Sequence, residues 1–209
     1  MGIADIERDL KFIRTTMESS SRYTNVPASG YLITGLLGLL GTWGTYIYLG
    51  AEKVADMTRI TTKDMKILMV LWLLVFVAAV GSVAFCSWRK AQKHALTAWN
   101  SLAARMLLSQ IPLVVVIGIL TLAMATEGYY GLIPGTWMGI YGTVLYSFSY
   151  FTSVEHKIEG IAFIVLGLIV LFIHGAVGLA LLGLGFGGIH IVAGMWRLLL
   201  EKKVQRVSV

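Results

Sequence analysis

The residue in this sequence with the clearest chemical potential is His190. It lies seven positions before Arg197, in a run that carries no Asp, Glu, Lys or Arg, and Gly187, Gly188 and Gly194 surround it. An ionisable side chain inside a bilayer is costly, and by default it marks a functional site. Such an imidazole could touch a ligand, relay a proton or ligate haem; the ordinary alternative is a neutral ring hydrogen-bonded across a glycine-lined notch. Haem shared with His174 is disfavoured, because the two histidines would differ by roughly 20 Å in depth at about 1.5 Å per residue. No cofactor is therefore expected.

A second group is aromatic and hydroxylic: Trp137, Tyr141, Tyr146, Ser147, Ser149, Tyr150 and Phe151. Its ordinary reading is an interfacial belt with hydrogen bonds between helices. Its functional reading is a ligand pocket between the fourth and sixth spans, lined by His190, Tyr141, Tyr146 and Trp137. A third group, Glu155, His156, Lys157 and Glu159, has the residue types of a metal or acid/base site, and helical spacing puts Glu155 and Glu159 on one face. It occupies a short connector, so a solvated turn is expected. The chain lacks an HExxH helix, a Walker loop, a GxSxG elbow and Cys-rich metal spacing. No catalytic residue and no metal ligand is assigned.

These residues must be held by an all-α membrane bundle. The 209 residues are 57% hydrophobic and only 13% charged, with a mean hydropathy of +0.78. Charges fall in short blocks separated by stretches of 21 to 37 residues without Asp, Glu, Lys or Arg. A hydrocarbon core of roughly 30 Å needs about 20 helical residues, so such stretches read as spans. Six are expected, at about 31–49, 67–88, 106–126, 132–152, 159–174 and 178–197, within a transmembrane domain covering 23–200. A loop from Gly50 to Met65 should close on a capping box formed by Thr61 and Asp64. The second span is bulky and suited to face lipid. Pro112 should kink the third, with Ser109 and Gln110 placed to serve the freed backbone groups. Gly131, Gly135 and Gly139 recur at intervals of four, which lets a neighbouring helix approach closely. The 37-residue stretch Gly160 to Trp196 is too long for one crossing and should turn near His174 to Gly178. The glycine-rich helix after that turn should be the most tightly packed.

Residues 1–22 form a separate element, an amphipathic helix with Ile3, Ile6, Leu10, Ile13 and Met17 on one stripe. Its charges cancel, Asp5, Glu7, Asp9 and Glu18 against Arg8, Lys11, Arg14 and Arg22, so a cationic lipid-binding face is missing. The stripe should dock on the protein's own cytoplasmic face, at the lipid interface or on a partner subunit. With the amino terminus inside, thirteen Lys and Arg lie on inner segments, including the basic tail 201–209, and four, Lys53, Arg59, Lys63 and Lys66, lie outside. That asymmetry predicts six crossings with both ends cytoplasmic. A formal charge of +6 does not point to nucleic acid, since the basic residues flank apolar runs. No cleavable signal peptide is expected ahead of the first span. The lone Cys86 can form no internal disulfide.

The segments Asp5-Ile-Glu-Arg-Asp-Leu-Lys-Phe-Ile-Arg-Thr-Thr-Met-Glu, Gly131-Leu-Ile-Pro-Gly-Thr-Trp-Met-Gly-Ile-Tyr-Gly and Gly185-Phe-Gly-Gly-Ile-His-Ile-Val-Ala-Gly resemble those of a family of small bacterial six-helix membrane proteins of unassigned function. That resemblance implies a bacterial inner-membrane setting and nothing about substrate. Two functions are then expected in order. The first is a non-catalytic membrane subunit that associates with or regulates a larger membrane complex through the Ile3 to Met17 stripe and its glycine-grooved helices. The second is a small-molecule or lipid binding or transport component. Expected partners are the lipid bilayer, other membrane subunits or a second copy of the chain.

Overall fold

A computed structural model describes Leu10, residues 27–93 and residues 101–207. The amphipathic stripe at Ile3, Ile6, Ile13 and Met17 lies outside the described residues, as do 208 and 209. The described chain is helical, with no strand among its described residues. Helix α1 (Ala28–Ala55) is followed by a single 3-10 turn (Met57–Arg59) and α2 (Thr62–Lys93). Next come α3 (Ser101–Leu108), α4 (Ile111–Thr126), α5 (Leu132–Phe148) and α6 (Val154–Phe172). The last rod is α7 (Gly175–Gly183), a π-helical turn (Leu184–Ile189) and α8 (His190–Val207).

Among the described residues, four stretches are long and apolar enough to cross a membrane: Ala28–Ala55, Thr62–Gln92, Ala104–Thr126 and Gly175–Glu201. Helix α5 has 17 residues, and the 19-residue α6 carries Glu155, Lys157 and Glu159 in its first turns. Burial separates the four. In the most apolar part of the last rod 44% of residues are buried, against 6% in α2. The glycine-rich rod is thus the most enclosed and α2 the most exposed, as their side-chain sizes predicted: small residues admit neighbours, whereas bulky Leu73, Leu74, Phe76 and Val77 remain on the outer surface.

Glycines set the two closest seams. Between α5 and α6, a Cβ on Gly142 would meet Ile164 N at 2.6 Å and Gly160 O at 2.7 Å, and one on Gly135 would meet Gly167 O at 2.8 Å. Gly167 lies against the backbone of Gly139. Between α1 and the last rod, a Cβ on Gly38 would meet Phe186 O at 2.6 Å, and one on Gly35 would meet Gly187 O at 2.8 Å. Met138, Phe163 and Val170 lie fully buried among these helices.

The connections follow local chemistry. The first does not begin as a loop at Gly50: the chain bends there, with φ +72°, and helix resumes through Ala55, because glycine adopts positive φ without steric cost. Thr61 and Asp64 form the capping box, Asp64 N–H donating to Thr61 Oγ1 (3.2 Å) and Thr61 N–H to Asp64 Oδ2 (2.8 Å). Lys53 (2.7 Å) and Tyr48 (3.2 Å) also reach Asp64. The Lys53 ammonium, then the Thr61 N–H and hydroxyl, hold its carboxyl well below the usual carboxylate range. Asp56 is lowered in the same direction, first by the hydroxyl and N–H of Thr58.

Pro112 breaks its span into α3 and α4, with Ser109 and Gln110 in the gap. The Gln110 N–H turns to Leu107 O, and Met106 O instead accepts from the Ser109 hydroxyl at 2.7 Å. The stretch from Gly160 reverses after Phe172, at Ile173 and His174, and Gly175 takes φ +74° within reach of Val54 O.

Candidate functional site

The residues with the greatest chemical potential gather where α1, α6 and the last rod meet. On α1, Tyr31 begins a stripe continued by Gly35, Gly38 and Thr45, all buried. On α6, His156, Glu159, Gly160, Phe163, Gly167 and Val170 follow one another at three- and four-residue steps, which places them on a single inward face. On α8, His190 and Arg197 are seven apart and hence also share a face. Three helices thus direct two histidines, a carboxylate, a guanidinium and a tyrosine towards one region.

His156 does not sit in a solvated turn. It is 5% exposed and Glu159 7%, because α6 begins at Val154 and turns both inward. The Tyr31 hydroxyl pairs with His156 Nε2 at 2.7 Å. The other ring nitrogen, Nδ1, faces the hydroxyls of Thr152 and Ser153, each at 3.1 Å. Arg197 donates to Glu159 Oε1 at 2.8 Å and lies over the Tyr31 ring, 4.0 Å from its centroid. The Glu159 carboxylate also comes within reach of the Tyr31 hydroxyl. An ion pair this enclosed persists only when its remaining polar atoms are served, since desolvation is otherwise too costly.

His190 is 3% exposed. Its Nε2 pairs with the Tyr141 hydroxyl at 2.8 Å. Its ring is enclosed by Phe163 at 5.4 Å, Tyr31 at 5.9 Å and Phe186, stacked at 6.4 Å. The carbonyls of Gly185 and Phe186, in the π turn just before it, lie near the ring, yet no hydrogen bond of proper geometry reaches Nδ1. The π turn is built on Gly185, Gly187 and Gly188; such turns add a residue to the helical register and often accompany functional sites.

Of the four residues assigned to a ligand pocket from the sequence, His190 and Tyr141 are in direct contact. Tyr146 is elsewhere, edge-on to Tyr150 at 5.9 Å and beneath the Lys157 ammonium at 5.6 Å. Trp137 is on the α4 side of α5, where its Nε1–H donates to Thr121 at 2.9 Å and its ring meets Phe76. His174 is exposed at the far corner, its ring against Gly131. Among the described residues no cluster of three or more His, Cys, Asp or Glu could hold a metal ion.

No protein-family model matches the chain, and no curated protein or solved structure is significantly similar to it. The likeness to small bacterial six-helix membrane proteins therefore rests on the quoted segments alone.

Proposed function

We propose that the protein is a non-catalytic integral membrane subunit, crossing a bacterial inner membrane six times with both ends in the cytoplasm, that associates with or regulates a larger membrane complex. The observation that carries this reading is the light attachment of α4 to the rest of the described chain. Among the described residues Ile117 alone in α4 is buried, and Trp137 to Thr121 is a polar tie between α4 and α5. Like α2, it presents large apolar side chains outward, among them Val114, Val115, Ile119 and Leu122, the disposition expected of helices that meet lipid or other subunits within the bilayer. The accompanying contacts support six crossings: Lys90 meets Glu201 (2.7 Å) and Arg197 meets Glu159 at one end, while Gly175 approaches Val54 and Gly131 approaches His174 at the other.

Photocrosslinkers placed at Leu120 and Leu122 on α4, and at Ile3 and Leu10 on the amino-terminal stripe, test the proposal in native membranes. The expected result is a discrete adduct with another membrane protein, retained through mild-detergent purification. A chain that purifies alone and crosslinks only to lipid and itself sinks the idea.

The second reading, a small-molecule or lipid binding or transport component, draws support from the unpartnered Nδ1 of His190 beside Tyr141. A ligand there should raise the melting temperature of the wild type and leave His190→Ala unmoved. A broad metabolite and lipid screen without any shift would remove that support.

A further inference from the structure

Among the described residues, three buried side-chain polar atoms lack a hydrogen-bond partner: Thr34 Oγ1, His190 Nδ1 and Arg197 Nε. They are not scattered. Thr34 is one turn from Tyr31 on α1, and both His190 and Arg197 contact the Tyr31 ring. Leaving a buried polar atom unpaired costs about 1–3 kcal/mol, and two such groups beside the Tyr31 ring with a third one helical turn away point to a shared polar occupant rather than three separate defects.

Charge restricts what that occupant is. Glu159 and Arg197 neutralise one another, so an added anion or cation would be left uncompensated in a low-dielectric interior. The Arg197 Nε–H can only donate, whereas the Thr34 hydroxyl and the His190 ring can donate or accept. A neutral molecule that both donates and accepts satisfies all three, and water is the smallest that does so, typically bridging such groups with about three hydrogen bonds.

We propose that water occupies the junction of α1, α6 and α8 around Tyr31 and joins the Tyr31–His156 and Tyr141–His190 pairs into one proton path. The path starts at Ser153, half-buried in the connector before α6, and continues through His156 to Tyr31. Water then spans from the Tyr31 hydroxyl to His190, whose Nε2 already meets Tyr141. A proton accepted at His156 Nδ1 releases one from Nε2 to the Tyr31 oxygen, which passes its own proton to the water and so to the His190 ring. Only N–H and O–H bonds form and break: His156, Tyr31 and the water each gain one proton and lose one, and His190 ends as the imidazolium that holds the transferred proton until it returns along the same path. Glu159 and Arg197 flank the Tyr31 step, the carboxylate favouring transient positive charge and the guanidinium opposing it.

The path is tested on the full chain, carrying 15N-histidine and reconstituted in bilayers, by magnetisation exchange between water and the imidazole rings. His190→Gln identifies the His190 signal, and exposed His174 is the positive control. Water exchange at His190 in the wild type is expected, slowed about tenfold, the scale of one lost hydrogen bond, in Tyr31→Phe. Should Tyr31→Phe lose the folded spectrum, Thr34→Val takes its place with the same expected slowing. Exchange at His174 without exchange at His190 overturns the proposal, as does a rate at His190 unchanged by the variant.

Discussion

At Asp64 a single carboxylate ends one helix connection and begins the next. It caps α2 through Thr61 and ties that cap to α1 through Lys53 and Tyr48. Because its folded carboxyl is held below the usual range, the unfolded chain takes up a proton first as pH falls. The stability it contributes is complete at neutral pH and is lost on acidification below about pH 4, where an ordinary aspartate titrates. Asp64→Asn should melt at a lower temperature than wild type at pH 7, with the gap closing towards pH 3; parallel melting curves at both pH values would contradict this. The capping box was legible in the sequence because its partners are three residues apart. Lys53 and Tyr48 were not, since only the bend at Gly50 brings them back to the same carboxylate.

Tyr141 belongs to the same scale. Its hydroxyl makes one hydrogen bond between helices, to His190, a class worth about 0.6 kcal/mol in membrane proteins and at most about 1.7 kcal/mol. Tyr141→Phe should cost that little in reversible unfolding in mixed micelles, whereas Phe163→Ala, emptying a fully buried ring position, should cost about 3–5 kcal/mol. The reverse order would mean that the Tyr141–His190 contact organises the bundle and does not merely sit within it. His190 and Tyr141 were identified in the sequence by type, one as an ionisable group in an uncharged run and the other as part of an aromatic cluster. His156 and Glu159 fall in what reads from the sequence as a short connector, where a solvated turn is the expectation. The signal that could have recovered them is the step pattern His156, Glu159, Gly160, Phe163, Gly167, Val170, which carries the buried face of α6 back through the charged residues.

At the scale of elements, spacing alone did not reveal which glycines touch. Gly131, Gly135 and Gly139 suggested one stripe, yet Gly131 packs on the His174 ring, and the seam of α5 with α6 runs through Gly135, Gly139 and Gly142. Gly139 contributes a bare backbone surface, since a Cβ placed on it meets nothing within 4 Å, while Gly167 of α6 rests against it. Substitutions should respond accordingly. Gly142→Ala places a methyl against the backbone of Gly160 and Ile164, which cannot swing aside, and should cost about 1–3 kcal/mol. Gly118→Ala on α4 meets nothing within 4 Å and should gain up to about 1 kcal/mol from helix propensity. Equal effects at the two positions, measured by the same unfolding assay, would show that α5 and α6 are not packed as described. The π turn at Leu184–Ile189 had no sequence signal beyond its glycines, because a register change in a helix depends on what both of its faces meet.

At the scale of the whole molecule, the six crossings proposed above rest on charge and on contact. The Lys and Arg asymmetry uses only sequence: Arg89, Lys90, Lys157, Arg197 and Lys203 against Lys53, Arg59, Lys63 and Lys66. The contacts use only geometry: Lys90 meets Glu201 and Arg197 meets Glu159, while the capping box of α2 lies at the opposite end of that helix from Lys90. If both follow from six crossings, single cysteines in a Cys86→Ser background at the exposed positions Lys157, Lys203, Arg59 and Glu127 should sort into two pairs under a membrane-impermeant maleimide. Inside-out vesicles should label Lys157→Cys and Lys203→Cys, and right-side-out vesicles Arg59→Cys and Glu127→Cys. Helices α5 and α6 decide the outcome, since they are the shortest candidates and α6 carries its charges in its first turns. Were they to lie at the surface without crossing, four spans would still return the carboxy terminus to the starting side. Glu127 and Lys157 would then also share a side, the one pattern of labels that distinguishes the two arrangements and that would refute six crossings.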